Sequence, residues 1–207
     1  MQSEIAMLTL DHIAIACTDL DTAAKALSDR LGVPLQPGGR HDRYGTHNRL
    51  LGLGDIYLEL IALDPDAAPT GRPAWFGMDH FTGPARAANW ICRTDDLRAA
   101  IAIAPVDPGT IVPLTRGDLH WRITVPDDGR LPLDGAMPTM IQWGDGVVLP
   151  ATRLPDSGCR LLTWEVSHPQ ATLLREGLRL TDPRVVFVTG AMGLRATLQT
   201  PGGTVTL

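Results

Sequence analysis

One order of secondary-structure elements is predicted to recur along the chain: a strand, a capped helix and then several short strands. The stretch LTLDHIAIAC (residues 8–17) alternates and carries β-branched residues, which is typical of a strand. The next helix starts at Thr18 or Asp19, either of which can cap its first turn, and it ends at Gly32. Short strands are then predicted near 33–36, 46–53 and 56–63, separated by turns at Pro37-Gly38-Gly39 and Gly54-Asp55. This βαβββ order constrains the fold most, since repeated units usually pack to share a core.

The same order of elements is predicted twice more. The second copy has a strand at AANWICR (residues 87–93), a helix that starts at Thr94 or Asp95, and further short strands. The third copy begins near residue 160 and is shorter. We therefore predict one domain, 1–207, built from modules at about 8–64, 87–145 and 160–207.

Charge and apolar content exclude several classes of function. The chain has 18 Lys and Arg against 23 Asp and Glu, so no nucleic-acid partner is expected, because phosphate binding needs a basic surface. No apolar run approaches the roughly 20 residues that cross a bilayer, and Met1–Thr9 lacks the features of a signal peptide. Cys17, Cys92 and Cys159 form no CxxC pair, which fits reduced, buried thiols. We therefore expect a cytoplasmic protein without a membrane partner.

A carboxylate, Glu59, lies in the middle of the apolar stretch YLELIAL (residues 57–63). A buried carboxylate is costly unless it is paired, so this residue needs a partner. If the last strand of the first module lies parallel to the first strand, period-two alternation brings Glu59 and His12 to the same face. The two side chains can either hold a divalent metal ion or form a hydrogen bond in a polar cleft. The residues alone favour neither alternative.

The first module resembles a known superfamily. LDHIAIACTDLDTAAKAL and GTHNRLLGLGDIYLELIAL resemble the glyoxalase-like members of the vicinal oxygen chelate superfamily, which also includes extradiol dioxygenases and bleomycin-resistance proteins. The resemblance implies an α+β fold, in which repeated βαβββ modules curl into a cup-shaped mixed sheet with the helices outside. It also implies that metal ligands come from the first and last strands of each module. His12 and Glu59 match those positions.

The second module matches this ligand pattern less well. By position, Asn89 corresponds to His12 and Gln142 lies near Glu59, and amide side chains are weak zinc ligands. His47, on a neighbouring strand, supplies a third strong donor if it shares the cavity face. In that case, His12, His47 and Glu59 form a metal set of two histidines and one carboxylate.

Other polar and aromatic residues are candidates for substrate contacts. Arg49 and Arg122 suit a carboxylate or carbonyl, because a guanidinium makes bidentate contacts. Trp121 and Trp143 can line an apolar wall, although core packing explains them equally well. The remaining histidines are expected to be structural or exposed in loops: His41, His80, His120 and His168. The candidate substrate contacts are therefore Arg49, Asn89, Trp121, Arg122 and Gln142.

The resemblance implies a metal-dependent lyase or isomerase that acts on a small oxygen-bearing substrate. A divalent ion would chelate neighbouring substrate oxygens and stabilise an enolate, with His12 and Glu59 as the catalytic residues. Glu59 can alternatively act as the proton-transfer base. The alternative function is metal-free binding of a small molecule, as in the drug-sequestering members of the superfamily. The modules can pair within one chain or across a homodimer.

Overall fold

A computed structural model describes residues 6–207. The first five residues, which belong to the stretch without signal-peptide features, lie outside the described residues. The strands are β1 (Thr9–Ala16), β2 (Gln36–His41), β3 (Thr46–Gly52), β4 (Tyr57–Leu63), β5 (Arg86–Arg93), β6 (Thr110–Arg116), β7 (Leu119–Val125), β8 (Thr139–Trp143), β9 (Arg160–Ser167), β10 (Val185–Val188), β11 (Gly193–Thr200) and β12 (Gly203–Thr206). The helices are α1 (Leu20–Leu31), α2 (Leu97–Ala102), α3 (Pro150–Arg153) and α4 (Ala171–Gly177). Short 3₁₀ segments cover Trp75–His80 and Pro132–Gly135. Within the described chain, no helix is long and apolar enough to cross a membrane.

The first two modules form one eight-stranded sheet, with the order β2-β3-β4-β1-β5-β8-β7-β6. In each module the last strand lies parallel to the first, as β4 to β1 and β8 to β5. The modules meet where β1 and β5 pair antiparallel. The predicted α+β fold, with repeated modules that curl a mixed sheet into a cup, is confirmed.

The third unit keeps the order of elements but changes their pairing. Its separate sheet has the order β10-β9-β11-β12. The strand after the helix, β10, is here the parallel neighbour of β9, and β11 pairs antiparallel on the other side. The meander therefore does not fold back as it does in the first two modules.

Local signals position both module helices. The Asp19 carboxylate accepts a hydrogen bond from the Thr22 backbone N–H (2.7 Å), and Gly32 ends α1 with a left-handed φ of 73°. In α2 the cap is Asp96, which accepts from the Ala99 N–H at 3.0 Å. The second helix thus begins one residue later than the predicted caps would place it.

The predicted turn at 37–39 is wrong, because β2 runs through it. Gly38 lies so close to Asn48 on β3 that a Cβ atom would collide with the Asn48 side chain and backbone. The Gly39 N–H donates to Asn48 Oδ1 at 2.7 Å. These glycines therefore allow two strands to approach closely. As a consequence, β2 continues to His41 and brings this residue to the concave face of the sheet.

Two apolar cores lie on opposite faces of the eight-stranded sheet. The core on the convex face combines α1 with the third unit, and Trp90 packs there at 6.0 Å from the Phe187 ring. The core on the concave face contains Ile61, Ile91 and Ile141. Polar groups that face the concave side are therefore surrounded by apolar walls.

Candidate active site

A small cavity opens in the concave face of the cup, near the junction of the two modules. Its volume is about 30 Å³, which is room for one or two water molecules. The polar and aromatic residues that line it are His12, His41, Asn48, Tyr57, Glu59, Trp75, Phe76, Arg116, Trp121 and Trp143.

The structure brings His12 and Glu59 together in this cavity. Strand β4 lies parallel to β1, with Ala14 opposite Glu59, so alternation puts both candidate side chains on the concave face. His12 Nε2 lies 3.7 Å from Glu59 Oε2, and both residues are 5% exposed. Asn48 Nδ2 donates to the other oxygen, Glu59 Oε1, at 2.5 Å. This bond fixes the carboxylate and leaves Oε2 facing His12.

Asp11 sets the orientation of the His12 ring. The register between β1 and β5 shifts between Leu10 and His12, where Asp11 is the additional residue. Its carboxylate accepts a hydrogen bond from His12 Nδ1 (2.7 Å) and another from Trp143 Nε1 (3.0 Å). Nδ1 donates the proton of this bond, and the other ring nitrogen, Nε2, faces Glu59. His12 also stacks on Tyr57, with ring centroids 4.3 Å apart.

His12 Nε2 and Glu59 Oε2 both face the cavity and lie 3.7 Å apart, which is beyond hydrogen-bond distance. Neither atom is tied to the other, so both can contact a molecule that enters the cavity. A carboxylate oxygen accepts hydrogen bonds, and an imidazole nitrogen donates or accepts according to its tautomer.

A second polar network, which the sequence did not predict, crosses the cavity. Arg116 Nη1 donates to His41 Nε2 at 2.9 Å, so His41 carries its proton on Nδ1 and donates it to Thr46 Oγ1 at 3.1 Å. Trp75 Nε1 donates to the same hydroxyl oxygen at 3.1 Å. Burial lowers the pKa of His41 to about 4, with smaller lowering effects from Arg116 and His12, whereas Glu59 opposes them. His41 is therefore neutral at pH 7.

Arg116 brings a positive charge to the same cavity as Glu59. Within residues 6–207 it is the only Lys or Arg in the cavity wall, and it forms no ion pair with a carboxylate there. Its bond to a neutral imidazole leaves the guanidinium charge uncompensated. An oxyanion that enters the cavity can therefore bind to Arg116.

Two of the expected site residues, His47 and Arg49, lie on the wrong face of β3. Asn48 faces the cavity, so its neighbours point towards α1. Arg49 Nη2 forms an ion pair with Asp21 on α1, at 2.8 Å. His47 lies near the start of α1: its charge contributes to lowering the pKa of Asp19, after the larger effect of the hydrogen bond from Thr22. His47 therefore does not share the cavity with His12 and Glu59, and Arg49 lies outside this cavity as well.

Three residues of the second module also lie away from the cavity. Gln142 Oε1 accepts from the Leu97 N–H of α2 (3.0 Å) and from Arg122 (2.7 Å), so both side chains lie on the convex side. Strand β8 presents Ile141 and Trp143 to the cavity instead. Asn89 is fully buried and donates to Thr139 Oγ1 at 2.9 Å, outside the cavity wall.

The aromatic candidates Trp121 and Trp143 do line the cavity. Their ring centroids lie 5.6 Å apart, and both rings form one wall. Trp75 and Phe76 also line the cavity and stack with their ring centroids 4.9 Å apart, and Tyr44 stacks on Trp75 at 4.6 Å outside the cavity wall. The cavity thus combines aromatic walls with a polar floor.

A comparison with models of protein families shows the family of this chain. The sequence model of the glyoxalase-like domain matches residues 10–181, which include both modules of the cup. The chain belongs to the glyoxalase-like domain family. A comparison with curated proteins gives no match.

Several solved structures are similar to this glyoxalase-like protein at low sequence identity. A hypothetical protein from Staphylococcus aureus is 18% identical over 97% of this chain and 84% of its own, with a TM-score of 0.56. A methylmalonyl-CoA epimerase from Mycobacterium tuberculosis is 22% identical over 69% of this chain and 91% of its own, with a TM-score of 0.42. A Streptomyces coelicolor methylmalonyl-CoA epimerase in complex with 2-nitronate-propionyl-CoA is 20% identical, over 65% and 97%, with a TM-score of 0.43.

The resemblance implies a divalent metal ion, which would need ligands among the residues of the cavity. Among the described residues, no three His, Cys, Asp or Glu side chains are arranged to hold a metal ion. His12 Nε2 and Glu59 Oε2 offer two donors, whereas His47 faces α1 and His41 Nε2 is occupied by Arg116. A catalytic zinc ion needs about three protein ligands. One histidine and one carboxylate are fewer protein ligands than this, so the glyoxalase-like site does not fit a resident zinc ion.

Proposed function

We propose that this glyoxalase-like protein is an isomerase or lyase that moves a proton on a small oxygen-bearing substrate. The observation that supports the proposal is the buried Glu59 carboxylate, which Asn48 holds 3.7 Å from His12 in the cavity that Arg116 also lines. A base, a proton partner and a cation for the developing charge are the parts that proton abstraction beside a carbonyl needs.

The proposed step begins when Glu59 Oε2 takes a proton from the carbon next to the substrate carbonyl. The electrons of the broken C–H bond form the enolate double bond, and the carbonyl oxygen becomes an oxyanion. Arg116 stabilises this charge through a guanidinium hydrogen bond. Return of the proton to the carbon from the His12–Glu59 pair completes an isomerisation, whereas loss of a leaving group from the enolate gives a lyase reaction.

The cavity needs to widen before such a substrate enters. A volume of about 30 Å³ holds water but not a molecule of several heavy atoms. Phe76 has a left-handed backbone (φ 59°) and Gly77 follows with φ 66°, so the wall at Trp75–His80 is the segment best suited to move. Closure of this wall over a bound substrate would exclude water from the proton-transfer site.

The experiment is solvent deuterium exchange into small 2-oxo and 3-oxo carboxylic acids, followed by ¹H NMR in D₂O. We expect exchange with the unaltered protein and a loss of about 100-fold or more in Glu59→Gln, in line with the contribution of a general base. Glu165→Gln is the matched control, because this carboxylate lies on the separate sheet and pairs with Arg195. Exchange that persists in folded Glu59→Gln would contradict the proposed role.

Dialysis against EDTA tests the metal dependence that the resemblance implies. We expect exchange to survive dialysis, because His12 and Glu59 are too few ligands for a resident ion. If exchange is lost and Mg²⁺ or Mn²⁺ restores it, the metal-dependent form of the reaction is correct. Elemental analysis of His12→Ala and Glu59→Gln would then show whether both side chains hold the ion.

The second candidate function is metal-free binding of a small aromatic or apolar molecule. The walls of Trp121 and Trp143 on one side and Trp75 and Phe76 on the other favour it. A binder gains stability by mass action, about 2.7 kcal/mol at a ligand concentration 100 times the Kd. A ligand that raises the Tm of both the unaltered protein and Glu59→Gln, without deuterium exchange in either, would establish this function.

We further propose a cytoplasmic location and a homodimer. Cys17, Cys92 and Cys159 are buried free thiols, which suits a reducing compartment. Light scattering after size exclusion gives the oligomeric state directly, and a mass near 22.3 kDa would exclude the dimer.

A further inference from the structure

A second and larger cavity adjoins the candidate active site. It is an open cleft of about 670 Å³ between the Trp75–His80 segment, the start of β5, residues 130–134 and the start of β11. This volume lies in the range of about 300–1,000 Å³ that is typical of small-molecule sites. Phe76 lines both cavities, so the cleft and the site of His12 and Glu59 have this residue in common.

The charged groups in the cleft favour an anion. Two guanidinium groups, Arg86 and Arg130, line it together with one carboxylate, Asp134, and with His80. Neither arginine forms an ion pair with a carboxylate within residues 6–207. The positive charge of the cleft is therefore available to a ligand.

Arg86 is held in place at the cleft wall. Its guanidinium carbon lies 4.1 Å from the Phe81 ring centroid, in a cation–π contact. Its Nη1 atom donates to the Thr82 carbonyl oxygen at 2.7 Å. A fixed guanidinium loses less conformational freedom when it binds a ligand. The remaining N–H groups of Arg86 can donate to an anion, and Phe81 beside them offers an apolar surface.

Backbone strain in the described chain is concentrated around this cleft. The three non-glycine residues with positive φ are Phe76 (59°), Leu133 (52°) and Asp134 (55°). All three belong to the two segments that border the cleft, and Phe76 and Asp134 line it directly. Left-handed backbone in such residues costs stability and is found preferentially at binding and catalytic sites.

We propose that this cleft binds an organic anion, with a carboxylate, phosphate or sulfonate group on Arg86 and Arg130 and an apolar or aromatic body against Phe76 and Phe81. This inference goes beyond the proposed function, since it requires neither His12 nor Glu59.

The test uses a matched pair of fluorescent probes of nearly the same shape. The anionic probe is 1-anilinonaphthalene-8-sulfonate, and the neutral probe is N-phenyl-1-naphthylamine, which lacks the sulfonate. Equilibrium titration of each with the full chain gives its Kd. We expect Arg130→Gln and Arg86→Gln to weaken the anionic probe about tenfold each and to leave the neutral probe within about twofold.

Three further variants test an expected gain in affinity for the anionic probe and provide two controls. Asp134→Asn removes the one carboxylate of the cleft and suits the left-handed backbone, so it should tighten the anionic probe about threefold. Arg130→Lys keeps the charge and should retain most of the affinity. Arg98→Gln, on the exposed side of α2, should change nothing.

The results separate this site from the proposed reaction. Glu59→Gln should bind the anionic probe as the unaltered protein does, whether or not it catalyses exchange. The inference is overturned if folded Arg130→Gln and Arg86→Gln bind the anionic probe normally. It is also overturned if both probes weaken equally, since that would indicate lost apolar contact and not a lost anion site.

Discussion

The partly buried His41 makes the stability of this protein depend on pH in a way that can be worked out. Its imidazole is neutral when folded, because burial lowers its pKa from 6.5 to about 4. In the unfolded chain the imidazole has its ordinary pKa. Between these two values the unfolded chain binds a proton that the folded protein does not. The contribution of His41 to the free energy of unfolding is therefore fully present above pH 6.5, and it is lost as the pH falls towards 4.

The size of the effect follows from the difference between the two pKa values. Each pKa unit corresponds to 1.36 kcal/mol, so His41 alone removes about 3 kcal/mol between neutral pH and pH 4. This is a substantial part of the roughly 5–15 kcal/mol by which a domain is stable. Replacing Arg116, whose charge also lowers the pKa of His41, with Gln should reduce the loss.

Urea unfolding at a series of pH values from 7.5 to 4.5 measures this effect. His41→Gln removes the titrating group and keeps a side chain that can donate and accept hydrogen bonds. We expect the free energy of unfolding to fall by roughly 2–3 kcal/mol more in the unaltered protein than in His41→Gln over this range. Carboxylates titrate in both proteins, so their contribution cancels when the pH dependence of one protein is subtracted from that of the other. Equal pH slopes would refute the assignment of a neutral imidazole at His41.

Three further substitutions test the packing and the turns that hold the cup together, each by its change in the free energy of unfolding in urea. Leu58→Ala empties a fully buried position on β4 and should cost about 2–5 kcal/mol. Gly109→Ala should cost about 1–3 kcal/mol, because φ is 94° and the new Cβ would collide with the backbone of residues 125–126. Asp19→Ala removes the cap on the Thr22 N–H and should cost about 0.5–2 kcal/mol. A cost below about 0.3 kcal/mol at any of these positions would contradict the contact assigned to it.

The first module was predictable because local signals and the period of two agree there. The sequence places caps around α1 and strands at both ends of the module, and the βαβββ order implies that the outer two are parallel neighbours. From that pairing alone, His12 and Glu59 come to the same face. The structure shows the pairing, with His12 opposite Tyr57 and Ala14 opposite Glu59.

The sequence assigned His47 on β3 and Gln142 on β8 to the wrong face, because side chains alternate along a strand and an error of one residue reverses their direction. His47 and Asn48 are adjacent, and the inward position belongs to Asn48, so the expected imidazole ligand points to α1. Gln142 was misplaced for the same reason, because Ile141 and Trp143 take the two inward positions on β8. His41 was missed because Gly38 and Gly39 suggest a turn, although they serve a close approach to Asn48.

The sequence by itself determined the repeated modules, the excess of acidic over basic residues, and the position of Glu59 in an apolar strand. Those properties follow from composition, from local conformational preference and from the alternation of side chains along a strand. Only the tertiary structure decided what Glu59 meets, because Asn48, His41 and Arg116 reach the same cavity through strand pairing that no local pattern encodes. The anion cleft beyond Phe76 is likewise formed by segments distant in sequence, which come together only when the third unit packs against the cup.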